Sequence, residues 1–494
     1  MQSHLKIHHD DNVAVAVEGL KRGAPVTLEG ALVILKQDIP AGHKFAIQDI
    51  PAGGQVMKYG FPIGHAAEDI PAGSHVHTHN VHSDLNSLLH YRYQPKFMEL
   101  SPLPTQTFRG YKRPDGKVGI RNEVWIIPTV GCINAIAKQI EVEAQEFVRG
   151  GLEAVVAYSH PYGCSQLGGD LLHTQKALCG LIRHPNAAGV LVLGLGCENN
   201  RIEEMKKVLG PYDENRVKFL VTQDVNDEVE AALKLLEGLC GHAAECVRDE
   251  VSVSELVLGL KCGGSDGFSG ITANPLVGSL SDRLIAQGGS AILTEVPEMF
   301  GAETLLMQRC RSREVFDKTV SLINDFKSYF MCHNEPIDEN PSPGNKDGGI
   351  TTLADKSLGC VQKGGTAPVE DVLAYGEPVC KKGLSLLQAP GNDLVASNAL
   401  LFSGAHMVLF TTGRGTPFGC AVPTVKIASN SDLAKRKSNW IDFDAGRLLE
   451  GESMELLTTE LMELVLDIAS GEKKAKSEAL DKRDLAIFKD GVTL

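Results

Sequence analysis

The 494-residue chain lacks the basic excess that binding to nucleic acid or an anionic membrane surface requires: 48 Lys and Arg stand against 62 Asp and Glu, for a formal net charge of -14. An acidic surface repels phosphate backbones, although a cleft can still carry a local potential that suits a small anion. No stretch approaches ~18 uncharged apolar residues, so no membrane-spanning helix is expected. The opening residues MQSHLKIHHDDNVAVAV carry no basic segment followed by a long apolar run, so no secretory leader is expected. The 12 cysteines are dispersed and include no CxxC pair, which argues against a zinc ribbon. Without a leader they read as reduced thiols of a cytoplasmic protein, not as a disulfide framework. Neither the phosphate-loop nor the dinucleotide glycine fingerprint occurs, so ATP and NAD are not supported.

What is present is ordinary globular composition, 43% hydrophobic and 22% charged, long enough for two to four domains at roughly 150 residues each. Residues 1–83 read as a small β module. VAVAVE, TLEGALVIL and KFAIQDI are strand-like, and DIPAG recurs at Asp38–Gly42, Asp49–Gly53 and Asp69–Gly73, where proline presets φ and glycine permits φ > 0. Residues 84–109, proline-bearing and polar, read as a linker. In 110–243, buried-strand runs (EVWIIPTV, AVVAYSH, GVLVLGLG, VKFLVTQD) alternate with amphipathic helices, which implies a parallel sheet with crossover helices. A second α/β unit follows over 244–494. The expected fold class is α/β, a small N-terminal β domain followed by two units with mostly parallel sheets.

In open parallel sheets ligands bind beyond the carboxyl ends of the strands, and here those ends are rich in reactive groups. They carry Cys132, His160 with Cys164, and Cys197 with Glu198 in the first unit. In the second they carry Cys262 with Asp266, Glu295 with Glu298, Asn392 with Asp393, and Arg414. Thiols so placed suit a metal or a reactive nucleophile, against the alternative that cysteine packs as a small hydrophobe. HVHTHN places His75, His77 and His79 at period two, on one face if the segment is a strand. HHDD at the N-terminus reads as a surface turn. NPSPGNKDGG offers backbone amides and Lys346 to an anion, and Arg414 in TTGRGTP offers a carboxylate fork.

Together with these segments, IRNEVWIIPTVGC, SHPYGCSQ, GLGCENN, CGGSDGFSGITANP and TEVPEMFGAE resemble, in order and spacing, the altronate/galactarate dehydratase family, over essentially the whole chain. The His-rich N-terminal module resembles a SAF-type β-clip domain. The resemblance implies a hydro-lyase of hexuronate catabolism that converts D-altronate to 2-dehydro-3-deoxy-D-gluconate and water with divalent iron or manganese. Cys420 in TPFGC departs from the small non-thiol residue expected there. Such chemistry needs a base for the C2 proton and an acid for the departing 3-hydroxyl. His75, His77 and His160 are candidates for those roles. Cys132, Cys164, Cys197, Glu198 and Glu295 are candidate metal residues, of which a subset binds, and thiolate would favour iron. Arg414, Lys346, Asn345 and Asn392 are candidate substrate anchors. The expected partner is a small sugar acid, with no nucleic acid or membrane and with a homo-oligomer left open. Galactarate dehydration, a sulfolactate-type sulfo-lyase, an iron–sulfur dehydratase and a non-catalytic sugar-acid-binding regulator are the competing readings.

Overall fold

The computed structural model describes residues 3–85 and 88–494; residues 1–2 and 86–87, the latter inside the expected linker, lie outside the described residues. In the N-terminal module the strands His4–Leu5, Val13–Ala16, Lys44–Ala46 and His75–Val76 form an antiparallel sheet. The DIPAG repeats build its corners. Ala52 N donates to Asp69 and Ala72 N donates to Asp49, each at 2.8 Å, and Ile50 bridges Ile70. The second and third repeats thus clasp each other reciprocally. Strand pairing stops at Val76, short of the expected run through His79. Asn80 ends it by accepting from His77 N and donating to His75 O, which closes a turn.

Residues 88–106 form no regular element but run as a strap over the C-terminal domain. Tyr91 donates its hydroxyl to Glu303 (2.5 Å), and Lys96 N bonds Gln308 O (2.7 Å). The expected linker ends early, because the strand Thr107–Lys112 begins inside it and pairs with Asp249–Ser252.

The middle domain is a parallel sheet in the order Ala154–Ala157, Glu123–Pro128, Ala187–Gly194, Val217–Val221. Glu123–Pro128 and Ala187–Gly194 are buried along their whole length, as an apolar run covered by helices on both faces requires. Helices Asn134–Glu143 and Glu228–Ala244 cover one face, and Asp227 caps the second by accepting from Glu230 N. Helix Gly168–Arg183 covers the other face and joins a core shared with the C-terminal domain.

The C-terminal domain holds seven strands, all parallel, in the order Val369–Leu373, Gly383–Leu387, Ser290–Leu293, Val257–Cys262, Met407–Thr412, Thr424–Ala428, Phe443–Asp444. The α/β expectation therefore holds. In both sheets the chain starts in the middle and later reverses direction across the sheet, which opens a crevice beside the first strand at its carboxyl end. Among the described residues, no helix is long and apolar enough to cross a membrane.

Candidate active site

At the carboxyl edge of the large sheet lies a cavity of 730 Å³ lined by Cys262, Glu298, Asn345, Lys346, Lys356 and Asp393, with Tyr329 and Phe330 on its apolar side. Glu298 is its centre. One carboxylate oxygen pairs with Lys356 at 2.7 Å. The other accepts from the thiols of Cys262 (2.9 Å) and Cys360 (3.1 Å), whose sulfurs lie 3.4 Å apart. Burial would push the Glu298 carboxyl up, but Lys356, Lys363 and Lys261 outweigh it and hold the group well below the usual carboxylate range. The Cys360 thiol is pushed up by its hydrogen bond with Cys262 and by burial.

Beneath this group Glu295 is fully buried between Lys261 and Lys363, the latter at 3.2 Å, and accepts from Cys262 N at 2.9 Å. Its φ of 70° is left-handed, a strained conformation for a glutamate. Lys261 also reaches Asp393 at 2.8 Å.

A second group reaches the cavity wall from the β module. The rings of His43, His75 and His77 lie 5.0–5.5 Å apart, centre to centre. His43 Nδ1 and His75 Nε2 share a hydrogen bond of 3.0 Å. His43 donates to Asp347 O (3.2 Å), and His77 meets the Thr351 hydroxyl (3.2 Å). Asn345 and Lys346 line the cavity, and Asp347 and Thr351, a few residues on, bond the histidines. The module docks closely because Gly267 has no side chain: a Cβ there would lie 2.0 Å from Gly42 O. A buried triad fixes the contact, Lys44 and Lys58 donating to the two oxygens of Asp355 at 2.8 and 2.9 Å.

Burial, reinforced by neighbouring histidines and Lys44, pulls His75 down to about 3 and His77 to about 4. Both imidazoles are neutral at neutral pH, the form that takes a proton or binds a metal. Between the ordinary value of 6.5 and these lowered values the unfolded chain binds more protons than the folded one. The stability these groups contribute is therefore complete above pH 6.5 and lost as pH falls toward 4 and then 3. Denaturant midpoints are expected to drop between pH 6.5 and 4, and to drop less in a His75→Asn/His77→Asn variant. Parallel pH curves for the two proteins would remove the histidines as the cause.

The other candidate residues are distributed as follows. Lys346 lines the cavity and exposed Arg414 stands at its rim, near Gly344, and among the described residues neither side chain has an ion-pair partner. Asn345 is spent as a wall: its Oδ1 accepts from Ser342 and Lys356, and its Nδ2 donates to Ser265 O. Asn392 caps the helix Asp393–Phe402 by accepting from Leu394 N and Val395 N. His160 is buried in the middle domain, where one ring nitrogen donates to Pro128 O (2.7 Å) and the other accepts from Tyr162 N, so it braces a loop. Glu198 accepts from Leu195 N, Gly196 N and the Thr129 hydroxyl, also closing a loop. Cys132, Cys164 and Cys197 lie exposed in the middle domain and are not joined with Glu295. Cys420 is buried and bonds Thr424 and Val422 O.

Sequence reasoning missed His43, Lys356, Cys360 and Lys363. The last three recur at spacings of four and three, one helical face of TLADKSLGCVQKG, which was a readable signal.

Comparison with known proteins agrees with this architecture. Residues 2–84 match the model of the altronate/galactarate dehydratase SAF domain, 110–244 that of the D-galactarate dehydratase/altronate hydrolase second domain, and 253–493 that of the D-galactarate/altronate dehydratase C-terminal domain. The chain is 53% identical to altronate dehydratase of Escherichia coli (strain K12), over 99% of this chain and 100% of that one. It is likewise 53% identical to altronate dehydratase of Bacillus subtilis (strain 168), over 100% of both chains. To galactarate dehydratase (L-threo-forming) of Escherichia coli (strain K12) it is 34% identical, over 98% of this chain and 96% of the other. With three domain models matched in sequence order and full-length relatives on either side of the substrate difference, the chain belongs to the D-galactarate/altronate dehydratase family.

Proposed function

We propose that this sugar-acid dehydratase acts on D-altronate, releasing water and 2-dehydro-3-deoxy-D-gluconate in hexuronate breakdown. The observation that carries the reading is the 53% identity to two altronate dehydratases across the full length, against 34% to the galactarate enzyme. The geometry supports it. Lys346 and Arg414, cations without an ion-pair partner among the described residues, suit the substrate carboxylate. Neutral His77 takes the C2 proton, and the electrons of the broken C2–H bond form the C2–C3 double bond as the 3-hydroxyl leaves. The proton now on His77 passes to the departing hydroxyl and completes the water, which returns His77 to its neutral form. The resulting enol ketonises to the 2-keto-3-deoxy acid.

The family likeness also implies a divalent ion, Fe²⁺ or Mn²⁺, and the cavity contains a fitting donor set. Ligand atoms of Cys262, Glu298 and Cys360 lie within 4.8 Å of one another, two sulfurs and an oxygen that favour iron over magnesium. Bound there, the ion would stabilise negative charge developing beside the substrate carboxylate.

The test is turnover of altronate, galactarate and related aldonates by metal-depleted protein, with Fe²⁺, Mn²⁺ or Mg²⁺ added back anaerobically. Altronate turnover restored by Fe²⁺ or Mn²⁺ is expected. Faster galactarate turnover would overturn the substrate, and no turnover with any ion would overturn the reading.

A further inference from the structure

The middle domain carries three thiols that this reading does not use. Cys132, Cys164 and Cys197 follow the strands Glu123–Pro128, Ala154–Ala157 and Ala187–Gly194, which are neighbours in the sheet and point the same way. The three loops interlock. Gly131 N bonds Tyr162 O (2.9 Å), Asn200 N bonds Gly163 O (3.0 Å), and Ser165 N bonds Asn199 Oδ1 (2.7 Å). Glu198, Asn200 and His160, each buried, tie the strand ends beneath them. Gly163 is held at φ 102° with its backbone against Thr129 O, where a Cβ would lie 2.0 Å away. A braced platform therefore presents three cysteines, all exposed, at the crevice where the chain reverses across the sheet.

Packing cysteines in the same domain behave differently. Cys179 and Cys240 are buried in helices, and burial pushes their thiols up to about 11 and about 12. Nothing in core packing calls for three exposed thiols on glycine-bearing loops. Their spacing also bears on the ligand. Three sulfurs around one ion, each at ~2.3 Å from it, stand no more than about 4 Å apart. Among the described residues, the groups whose ligand atoms all lie within 4.8 Å do not include this trio. A multi-iron cluster, in which each thiolate binds a different iron, suits wider spacing. Gln223 adds an N–H donor to Cys197 Sγ at 3.7 Å, and Ser165 Oγ lies 3.8 Å from Cys164 Sγ. Hydrogen bonds to sulfur of this kind tune such clusters. No fourth cysteine lies on these loops or on the loop after Val217–Val221.

We propose that Cys132, Cys164 and Cys197 form a three-thiolate site for an iron–sulfur cluster, with one iron left without a protein sulfur and open to an oxygen ligand. This goes beyond the reading above, which places its single ion at Cys262, Glu298 and Cys360.

The experiment is anaerobic reconstitution of the full-length chain with ferrous iron and sulfide, reading iron, acid-labile sulfide, visible charge-transfer absorption and the electron paramagnetic resonance of the reduced protein. Wild type and Cys360→Ser are expected to gain labile sulfide and the resonance. Cys132→Ser, Cys164→Ser and Cys197→Ser are each expected to lose both while keeping the wild-type circular dichroism and melting temperature. Cys332→Ser and Cys380→Ser, exposed elsewhere, are expected to match wild type. Iron uptake without labile sulfide, or a full signal in any of the three variants, overturns the proposal. Altronate turnover is scored separately: a loaded cluster with no turnover of any sugar acid sinks the functional reading and leaves this site, and turnover without labile sulfide does the reverse.

Discussion

Asp355→Ala is expected to destabilise the protein by about 3–5 kcal/mol, the cost of leaving a buried charge unpaired, and to loosen the N-terminal module from the body. Lys44 and Lys58 are fully buried against this one carboxylate. Burial would raise the Asp355 carboxyl, yet the two ammonium groups hold it far below its usual range. Burial also pulls Lys44 down to about 8 against the pull of Asp355. Two cations share one anion, so removing the anion leaves both without compensation. Asp355 also accepts from Thr351 N at 3.0 Å, beside the hydroxyl that meets His77. The loss therefore extends to the histidines. Urea unfolding read by circular dichroism, with limited proteolysis of residues 3–85, measures both effects. A shift below about 1 kcal/mol, within the range of exposed pairs, would show that the triad does not hold the interface. The triple variant Lys44→Met/Lys58→Met/Asp355→Leu is expected to recover stability, since apolar replacements of similar volume often equal a buried ion pair.

His77→Ala is expected to lower kcat by about 10²–10⁴-fold, the usual contribution of a positioned general base, with KM for altronate little changed. The ring is half-buried, its strongly lowered pKa keeps it neutral, and among the described residues its side-chain hydrogen bond is with the Thr351 hydroxyl. Truncation removes no ion pair, so folding is expected to persist. The discriminating readout is exchange of the C2 hydrogen with solvent deuterium, which is expected to vanish with turnover. Wild-type turnover at wild-type metal content would remove His77 from the mechanism and pass the role to His75 or His43.

The large-scale organisation was legible because its signals are local. Continuous apolar runs such as EVWIIP mark buried parallel strands, and DIPAG marks turns that need φ > 0 at Gly42, Gly53 and Gly73. Cys262 and Glu298, read in the sequence as strand-end residues, line the cavity, whereas the candidate metal residues were Cys132, Cys164, Cys197, Glu198 and Glu295. What was not legible depends on contacts across the chain. His160 has the composition of a catalytic residue, but both ring nitrogens are consumed in a loop, a fact of hydrogen bonding and not of spacing. Glu295 follows a strand as expected, yet Lys363, distant in sequence, neutralises it in the core. Asn345 and Asn392 look like anchors in sequence and serve as a wall and a helix cap. His43 gave no sign at all, standing alone beside a DIPAG turn and meeting His75 only because two strands pair antiparallel.

The Lys44–Asp355 contact joins residues 311 positions apart, which sets an order of events during synthesis. The N-terminal module leaves the ribosome before Asp355 is made, and its strands pair within its own sequence. Its lysines then wait for an aspartate about 15–60 s away at roughly 5–20 residues per second. Until that partner arrives both ammonium groups remain hydrated, and His77 has no Thr351 beside it. The module made earlier is thus set in place only once the later domain has formed, and the acid–base machinery comes into being only with the domain that holds the cavity.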